Sequence, residues 1–324
     1  MRVETKQETG QKQTTARRRW RLLAVLAVVN LAAVGLVAAP SQAQTLTCTT
    51  TLTSQTINAS IVVPAGSACQ LIDVVVDGRA DVQAGADLYL ESSRIRGPLS
   101  AFSSSFVQAD DSRVDGMTTL DEAFGLYATS SRFDRMVDAE DSSFVYSLDS
   151  THWGGVRSQN GETVVEKGVV IGSVWTLGDR LTDVYDSAVF GPVTINGSSY
   201  GAVVCHLGAA LAVTVRNSSG VVQIGATGAI AGCGFNLLGS LGVHDNQGAD
   251  IQITGNVIAG SLACTGNNPA PYGSSNLVGG SKSGQCASLA PAPSGLAATI
   301  EDETPQTAPR TSHILTLIDQ RLAG

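Results

Sequence analysis

Residues 88–106 read LYLESSRIRGPLSAFSSSF, residues 107–125 read VQADDSRVDGMTTLDEAFG and residues 126–144 read LYATSSRFDRMVDAEDSSF. Set one above another, the three lines keep one class of residue in each column at a period of 19. The register extends to both sides. One column carries Cys69, Leu88, Val107, Leu126 and Val145, and two residues on come Leu71, Leu90, Ala109, Ala128 and Ser147. A serine column follows at Ser93, Ser112, Ser131 and Ser150, then Val76, Ile95, Val114, Phe133 and His152. Glycine recurs at Gly78, Gly97, Gly116 and Gly154, and Arg135 interrupts it.

Apolar residues at spacing two mark a strand with one buried face. Each unit holds two or three such strands of a few residues, too short to stand alone. Parallel stacking solves this, because each strand then pairs with the coil above and the coil below, about 4.8 Å away. The expectation is an all-β, single-stranded parallel β-helix, a β-solenoid of about 19 residues per coil. It is expected to be right-handed, since strict hexapeptide repeats are missing. A β-sandwich would not demand the same residue class in the same column through five successive units.

The solenoid reads as residues 61–289. Ile61-Val-Val-Pro-Ala-Gly66 matches Ala80-Asp-Val-Gln-Ala-Gly85 at the same interval, and the Thr-rich stretch 44–60 falls outside the register as an N-terminal cap strand. After Gly154 the register slips through Val156 to Lys167, where Gln159-Asn160-Gly161 reads as a turn in a longer loop. It resumes at Thr182, Val184, Ser187, Val189 and Gly191. Asn236, Asn256 and Asn276 then stand 20 apart in the former serine column, with Asn246 and Asn267 21 apart elsewhere on the coil. Stacked inward asparagines form structural ladders. Residues 290–324 read as a Pro/Ala-rich linker and a short helix through Ile314, Leu315, Leu317 and Ile318, expected to cover a solenoid end.

Of 324 residues, 35 are glycine, 15% are charged and 5% aromatic, which suits a narrow interior. The first 43 hold 7 basic and 2 acidic groups, which leaves 13 basic against 26 acidic in the remainder. So acidic a remainder argues against nucleic acid as a partner. Residues 1–43 read as a signal peptide: Arg17, Arg18, Arg19 and Arg21, an apolar run from Leu22 to Ala39, then Ser41-Gln42-Ala43 at a cleavage site. The length of the run leaves an uncleaved anchor as the alternative. The expected location is secreted, extracellular or at the cell surface, with no membrane contact after cleavage. All six cysteines, Cys48, Cys69, Cys205, Cys233, Cys264 and Cys286, follow the signal, which favours three disulfides. Fifteen pairings are possible; the sequential one is the simplest and would staple a coil to its neighbour near each end. No CxxC or CxxH spacing supports zinc.

Two outward columns are candidate binding sites. Tyr89, Gln108, Tyr127 and Tyr146 share one, which Trp153 and Trp175 would extend into a platform for stacking sugars. The structural reading is that tyrosines suit exposed strand positions. Arg94, Arg113 and Arg132 form the second, either an anionic-glycan site or an ion-pair mesh with Glu91, Asp110, Asp111, Asp115 and Asp134. Acids also gather at Asp138, Glu140, Asp141, Asp179, Asp183 and Asp186, but turns of an acidic protein look the same. His152 lies in an apolar column, and His206, His244 and His313 have no Ser and Asp at triad spacing. Phosphate-cradling and dinucleotide motifs are missing, so no catalytic residue, metal or cofactor is expected.

Val62-Val-Pro-Ala-Gly-Ser-Ala-Cys-Gln-Leu71 and Asn256-Val-Ile-Ala-Gly-Ser-Leu-Ala-Cys264, through Asn267-Asn-Pro-Ala-Pro-Tyr to Gly284-Gln-Cys286, resemble the opening and close of secreted bacterial β-helix-repeat proteins of unassigned function. Similar coils occur in bactofilin-like polymers and in pectate-lyase-like enzymes. The resemblance implies export and a right-handed parallel β-helix, and supplies no active site. The expected role is non-enzymatic: structural, adhesive or glycan-binding, with cell-wall or extracellular polysaccharide, or a second copy, as partner. The alternative is a polysaccharide lyase or glycoside hydrolase, which would need paired carboxylates or a calcium-assisted base in one groove.

Overall fold

The computed structural model describes residues 44–225, 233–248, 250–291 and 307–323. The signal-peptide reading of residues 1–43 and most of the Pro/Ala-rich linker lie outside them. The described strands pair only in parallel and wind into one β-solenoid of about 12 turns. Each turn supplies up to three strands, and stacking gives three continuous faces. Face 1 starts Ile61, Ala80, Leu99, Thr118 and Val137, each directly over the next. Face 2 stacks Cys69, Leu88, Val107, Leu126 and Val145 in the same manner. Face 3 stacks Ile57, Val76, Ile95, Val114, Phe133, His152, Val170, Val189, Ala209, Leu238, Ile258 and Val278, which number coils 1 to 12 below. The inward columns are almost fully buried and form the core.

Two corners of each coil are built alike. Between faces 2 and 3, one residue per coil takes a left-handed backbone, with φ of 48° at Ser92, 45° at Asp111, 48° at Ser130 and 50° at Asp149. Small polar side chains tolerate that region better than β-branched ones do. The next residue turns its side chain inward. Ser93 Oγ accepts the Val74 N–H at 3.0 Å and donates to the Glu91 carbonyl at 2.9 Å, and Ser112, Ser131 and Ser150 repeat the acceptor half on the coil below. The serine column is thus a string of corner clamps. The glycine column answers a different need. A Cβ on Gly97 would meet the Gly78 carbonyl oxygen at 2.5 Å, so successive coils approach too closely for a side chain.

From coil 10 onward asparagine takes over the clamp. Asn236 Nδ2 donates to Asn256 Oδ1 at 2.8 Å, and Asn256 Nδ2 donates to Asn276 Oδ1 at 2.8 Å and to the Ile224 carbonyl at 3.0 Å. At the corner between faces 1 and 2, Asn246 Nδ2 donates to Asn267 Oδ1 at 2.9 Å, and Asn267 Nδ2 to Gln285 Oε1 at 3.0 Å. The structural reading of these asparagines holds.

The repeat is more continuous than the sequence columns suggest. Residues 44–60 are the first coil and not a strand outside the register, because Leu52 pairs with Leu71 and Ile57 with Val76. Between Val156 and Lys167 there is no longer loop. Val145 lies over Thr163, so one coil is a single residue short, and Asn160 and Gly161 form an ordinary corner. The large insertion comes later: Ala209 pairs with Leu238, 29 residues on. The disulfides are Cys48–Cys69, Cys205–Cys233 and Cys264–Cys286. The first and last join the terminal coils to their neighbours, as sequential pairing implied.

Helix α1 (Thr307–Ala323) does not cover a solenoid end. It lies along face 2, burying Ile314 and Ile318 against Phe106, Phe144, Tyr146, Val164 and Leu181. Leu315 and Leu317 stay exposed, so the apolar stripe is an i, i+4 pair. No described helix is long and apolar enough to cross a membrane.

Asn256→Ala removes the middle of one ladder and with it the bonds to Asn236, to Asn276 and to the Ile224 carbonyl. The expected loss is about 3 kcal/mol in the denaturant midpoint analysis, and a loss under about 0.5 kcal/mol would show the ladder to be idle.

Candidate functional site

The outward side of face 2 is a built seam. Arg321 Nη2 donates to Asp87 Oδ1 at 2.8 Å, while Arg310 grips Asp183 with Nε and Nη2 at 3.0 and 2.9 Å. Asp87 and Asp183 are five coils apart, about 24 Å, and the two arginines are eleven residues apart, about 16 Å of helix. Long side chains reaching outward from both ends make up the difference. The Arg310–Asp183 pair is almost fully buried. Beside it, His313 Nε2 lies 2.6 Å from Glu162 Oε2, Arg180 bonds Glu162, and Tyr200 stacks against both Arg180 and Arg310. These five side chains line one small opening.

The tyrosine column runs beneath this helix. Tyr146 is buried, stacks on Tyr127 at 5.5 Å and donates to Glu166 at 2.9 Å; Tyr185 donates to the same oxygen at 2.6 Å. Burial, then Glu166, pushes the Tyr146 phenol far up; for Tyr185 burial and the bond to Glu166 do the same. Burial and Asp87 push Tyr89 up to about 12. The phenols are therefore neutral donors in an inward network. Tyr89, Tyr127 and Tyr146 do not form an open platform, and the tryptophans do not extend it: Trp175 stands on face 1 under Arg157, Trp153 on face 3.

Face 3 carries the arginine column as expected, with Arg113 directly between Arg94 and Arg132. Asp115 bonds Arg94 at 2.7 Å and Arg113 at 2.8 Å; Asp134 bonds Arg113 and, at 2.6 Å, Arg132. The result is a zigzag of charge-paired rungs, ending where the Arg132 guanidinium lies 4.9 Å over the Trp153 ring. Burial raises the Asp134 carboxyl, but the bonds and charges of Arg132 and Arg113 outweigh it and hold the group below its usual range. Arg135 joins the rim of this shallow depression and is in no ion pair among the described residues.

No known protein family, characterised protein or solved structure matches the chain. The site therefore rests on its own geometry.

The remaining candidates are structural. His152 is fully buried, lies parallel to Phe133 at 5.0 Å and shares a 2.7 Å hydrogen bond with Ser147 Oγ. Burial pulls its pKa down to about 4, so the ring is neutral. Asp179 is a corner clamp, accepting from Thr163, Gly161 N–H and Ser158; burial raises its carboxyl despite them. Asp138 pairs with Arg157, and Asp186 with His206. No group of three His, Cys, Asp or Glu among the described residues is arranged to hold a metal ion. The seam of Glu162, Asp183, Arg310 and His313 was missed. Its signal was present: Phe106, Phe144 and Leu181 are apolar in outward columns, which an exposed face would not tolerate.

Two outcomes follow. The unfolded chain protonates its histidine from pH 6.5 downward while buried His152 resists until about 4. That residue therefore removes up to about 3 kcal/mol of stability as pH falls through this window. His152→Phe should flatten that part of the stability-against-pH curve, measured by denaturation between pH 7 and 4; an unchanged slope would place the titration elsewhere. Arg310→Ala leaves Asp183 buried and unpaired, at about 3 kcal/mol or more. Hydrogen exchange should show helix α1 losing protection, while Arg310→Met with Asp183→Leu restores it; continued protection in the single variant would mean the pair does not hold the helix.

Proposed function

We propose that the protein is a non-enzymatic, exported β-solenoid with a structural and adhesive role, holding extracellular or cell-wall polysaccharide on its flat outer surface. Three disulfides favour an oxidising compartment. The observation that carries the reading is the lattice on coils 2 to 5 of face 3. There Arg94, Arg96, Arg113, Arg132 and Arg135 outnumber Asp77, Asp115 and Asp134 on a chain that is otherwise acidic. Rungs recur about every 4.8 Å, and the surface is shallow and rigid. Such a surface suits an extended polyanion better than a small enclosed substrate, and guanidinium forks suit carboxylate or sulfate groups.

A carbohydrate-active enzyme is the second reading, and the seam favours it: Glu162, Arg180 and His313 meet at one opening. One set of assays separates the two. Purified protein is tested for retention on acidic and neutral polysaccharides at low and high salt, and for release of reducing ends or unsaturated product with and without calcium. Replacing Arg94, Arg113 and Arg132 by Gln should reduce retention on the acidic polymer at least tenfold at low salt and little at high salt. Equal retention by the variant would remove the arginine lattice from the account. Turnover abolished by Glu162→Gln would replace it with the enzyme.

A further inference from the structure

Face 3 changes character at coil 6. Beyond the charged rungs, both of its outward columns are apolar apart from Thr151 and stay so to coil 12. The first column runs Thr151, Val169, Ala188, Gly208, Leu237, Val257, Leu277; the second, two residues on, runs Trp153, Ile171, Phe190, Ala210, Gly239, Ala259, Gly279. The raised members are open to solvent, with Phe190 54%, Leu237 52% and Leu277 68% exposed. Seven coils make a strip about 30 Å long and about 14 Å wide, larger than the scattered apolar residues of an ordinary surface.

The relief of this strip has a pattern. In coils 6 and 8 the large side chain stands in the second column, in coil 7 both columns carry one (Val169 and Ile171), and in coils 10 to 12 it stands in the first. Between Phe190 and Leu237 lies an apolar depression floored by Ala188, Gly208, Ala210 and Gly239.

We infer that the strip is the interface of an antiparallel homodimer, two copies meeting across a twofold axis that runs along the strand direction at the level of Gly208 and Ala210. Such an axis keeps each column opposite its own counterpart and reverses the order of the coils. Coil 9 then faces coil 9, coil 8 faces coil 10, coil 7 faces coil 11 and coil 6 faces coil 12. Phe190 of one copy enters over the other's Gly239, Ile171 over Ala259, and Trp153 over Gly279. Leu237 enters over Ala188 and Leu277 over Thr151. Val169 and Val257 meet as equals, each other large residue meets a small one, and the partner's Phe190 and Leu237 fill the depression.

Two further facts agree. The last described coil is coil 12, three coils above the axis, and the surface turns charged below coil 6, three coils beneath it; the apolar zone covers what a second copy would cover. Gly239 and Gly279 are kept small by their own chain, since a Cβ would meet a backbone oxygen at 2.6 Å; Gly208 is not, because nothing lies within 4 Å of a Cβ there. The strip projects about 400 Å², about half of the ~800 Å² per partner of a standard interface, so the expected dimer is a weak one. This dimer does not depend on the polysaccharide reading, because the arginine rungs meet the overlap only at Trp153, under Arg132.

The test is sedimentation velocity and light scattering on the full chain across the micromolar range, with Phe190→Lys and Leu237→Lys beside it. Both side chains lie outside the core, so circular dichroism and melting should be unchanged while the dimer dissociation constant rises at least 100-fold. Orientation is read from single cysteines and a short bis-maleimide: Gly208→Cys should cross-link to a dimer, and Thr151→Cys should not. A chain that is monomeric throughout overturns the interface, and a monomer whose Phe190 contributes to binding vesicles or polysaccharide assigns the strip to that partner. Cross-linking of Thr151→Cys would overturn the antiparallel arrangement.

Discussion

Each strand of this molecule is too short to persist alone, and its backbone groups find their partners one coil away. That single requirement organises the rest. It makes neighbouring coils superimpose at about 4.8 Å, which forces like side chains into columns, and it makes two corners of each coil repeat the same solution. A left-handed residue turns the chain, and the next side chain clamps the N–H of the coil beneath. Serine does this with one oxygen. Asparagine does it with an acceptor and a donor, so Asn236, Asn256 and Asn276 bind each other as well as the backbone.

The inward half of the structure was legible in the sequence because burial constrains it twice, by size and by polarity. Leu88, Val107 and Leu126 could be aligned by eye, and the coordinates pile them as aligned. The same logic carried the asparagine ladders and the cysteine pairing. Errors came where the period changed by one residue, at Val145 over Thr163, and where Thr-rich residues 51–57 hid their match to Gln70–Val76. Neither is a change of architecture. An alignment at fixed period treats a single-residue contraction as a break, whereas a solenoid absorbs it at a corner.

The outward half was read poorly, and for a physical reason. Outward positions were assumed to face water on all three faces alike, so Tyr127 and Tyr146 were taken for an accessible row and α1 for an end cover. Whether an outward column is wet depends on what lies on it, and that partner is distant in sequence: Arg310 meets Asp183 across 127 residues. Columns of 19 carry no information about such contacts. Apolar residues where polar ones belong do carry it. Phe106, Phe144 and Leu181 marked the face that helix α1 covers.

The same criterion applies to face 3. Faces 2 and 3 both present apolar outward columns, but among the described residues only face 2 has a helix tethered over it, and tethering needs charges at both ends, Asp87 and Asp183. Among the described residues the apolar zone of face 3 has no such anchors. Its charged groups, Arg94 to Asp134, lie to one side and satisfy each other. A surface that binds by shape with its polar groups already paired gains little from a charged tail and most from a rigid, equally flat partner whose ridges fall in its own hollows. A solenoid face supplies both, since stacking fixes the spacing of ridges and hollows at one coil in every copy. The repeat that makes the interior possible therefore also sets the relief by which the exterior can recognise itself.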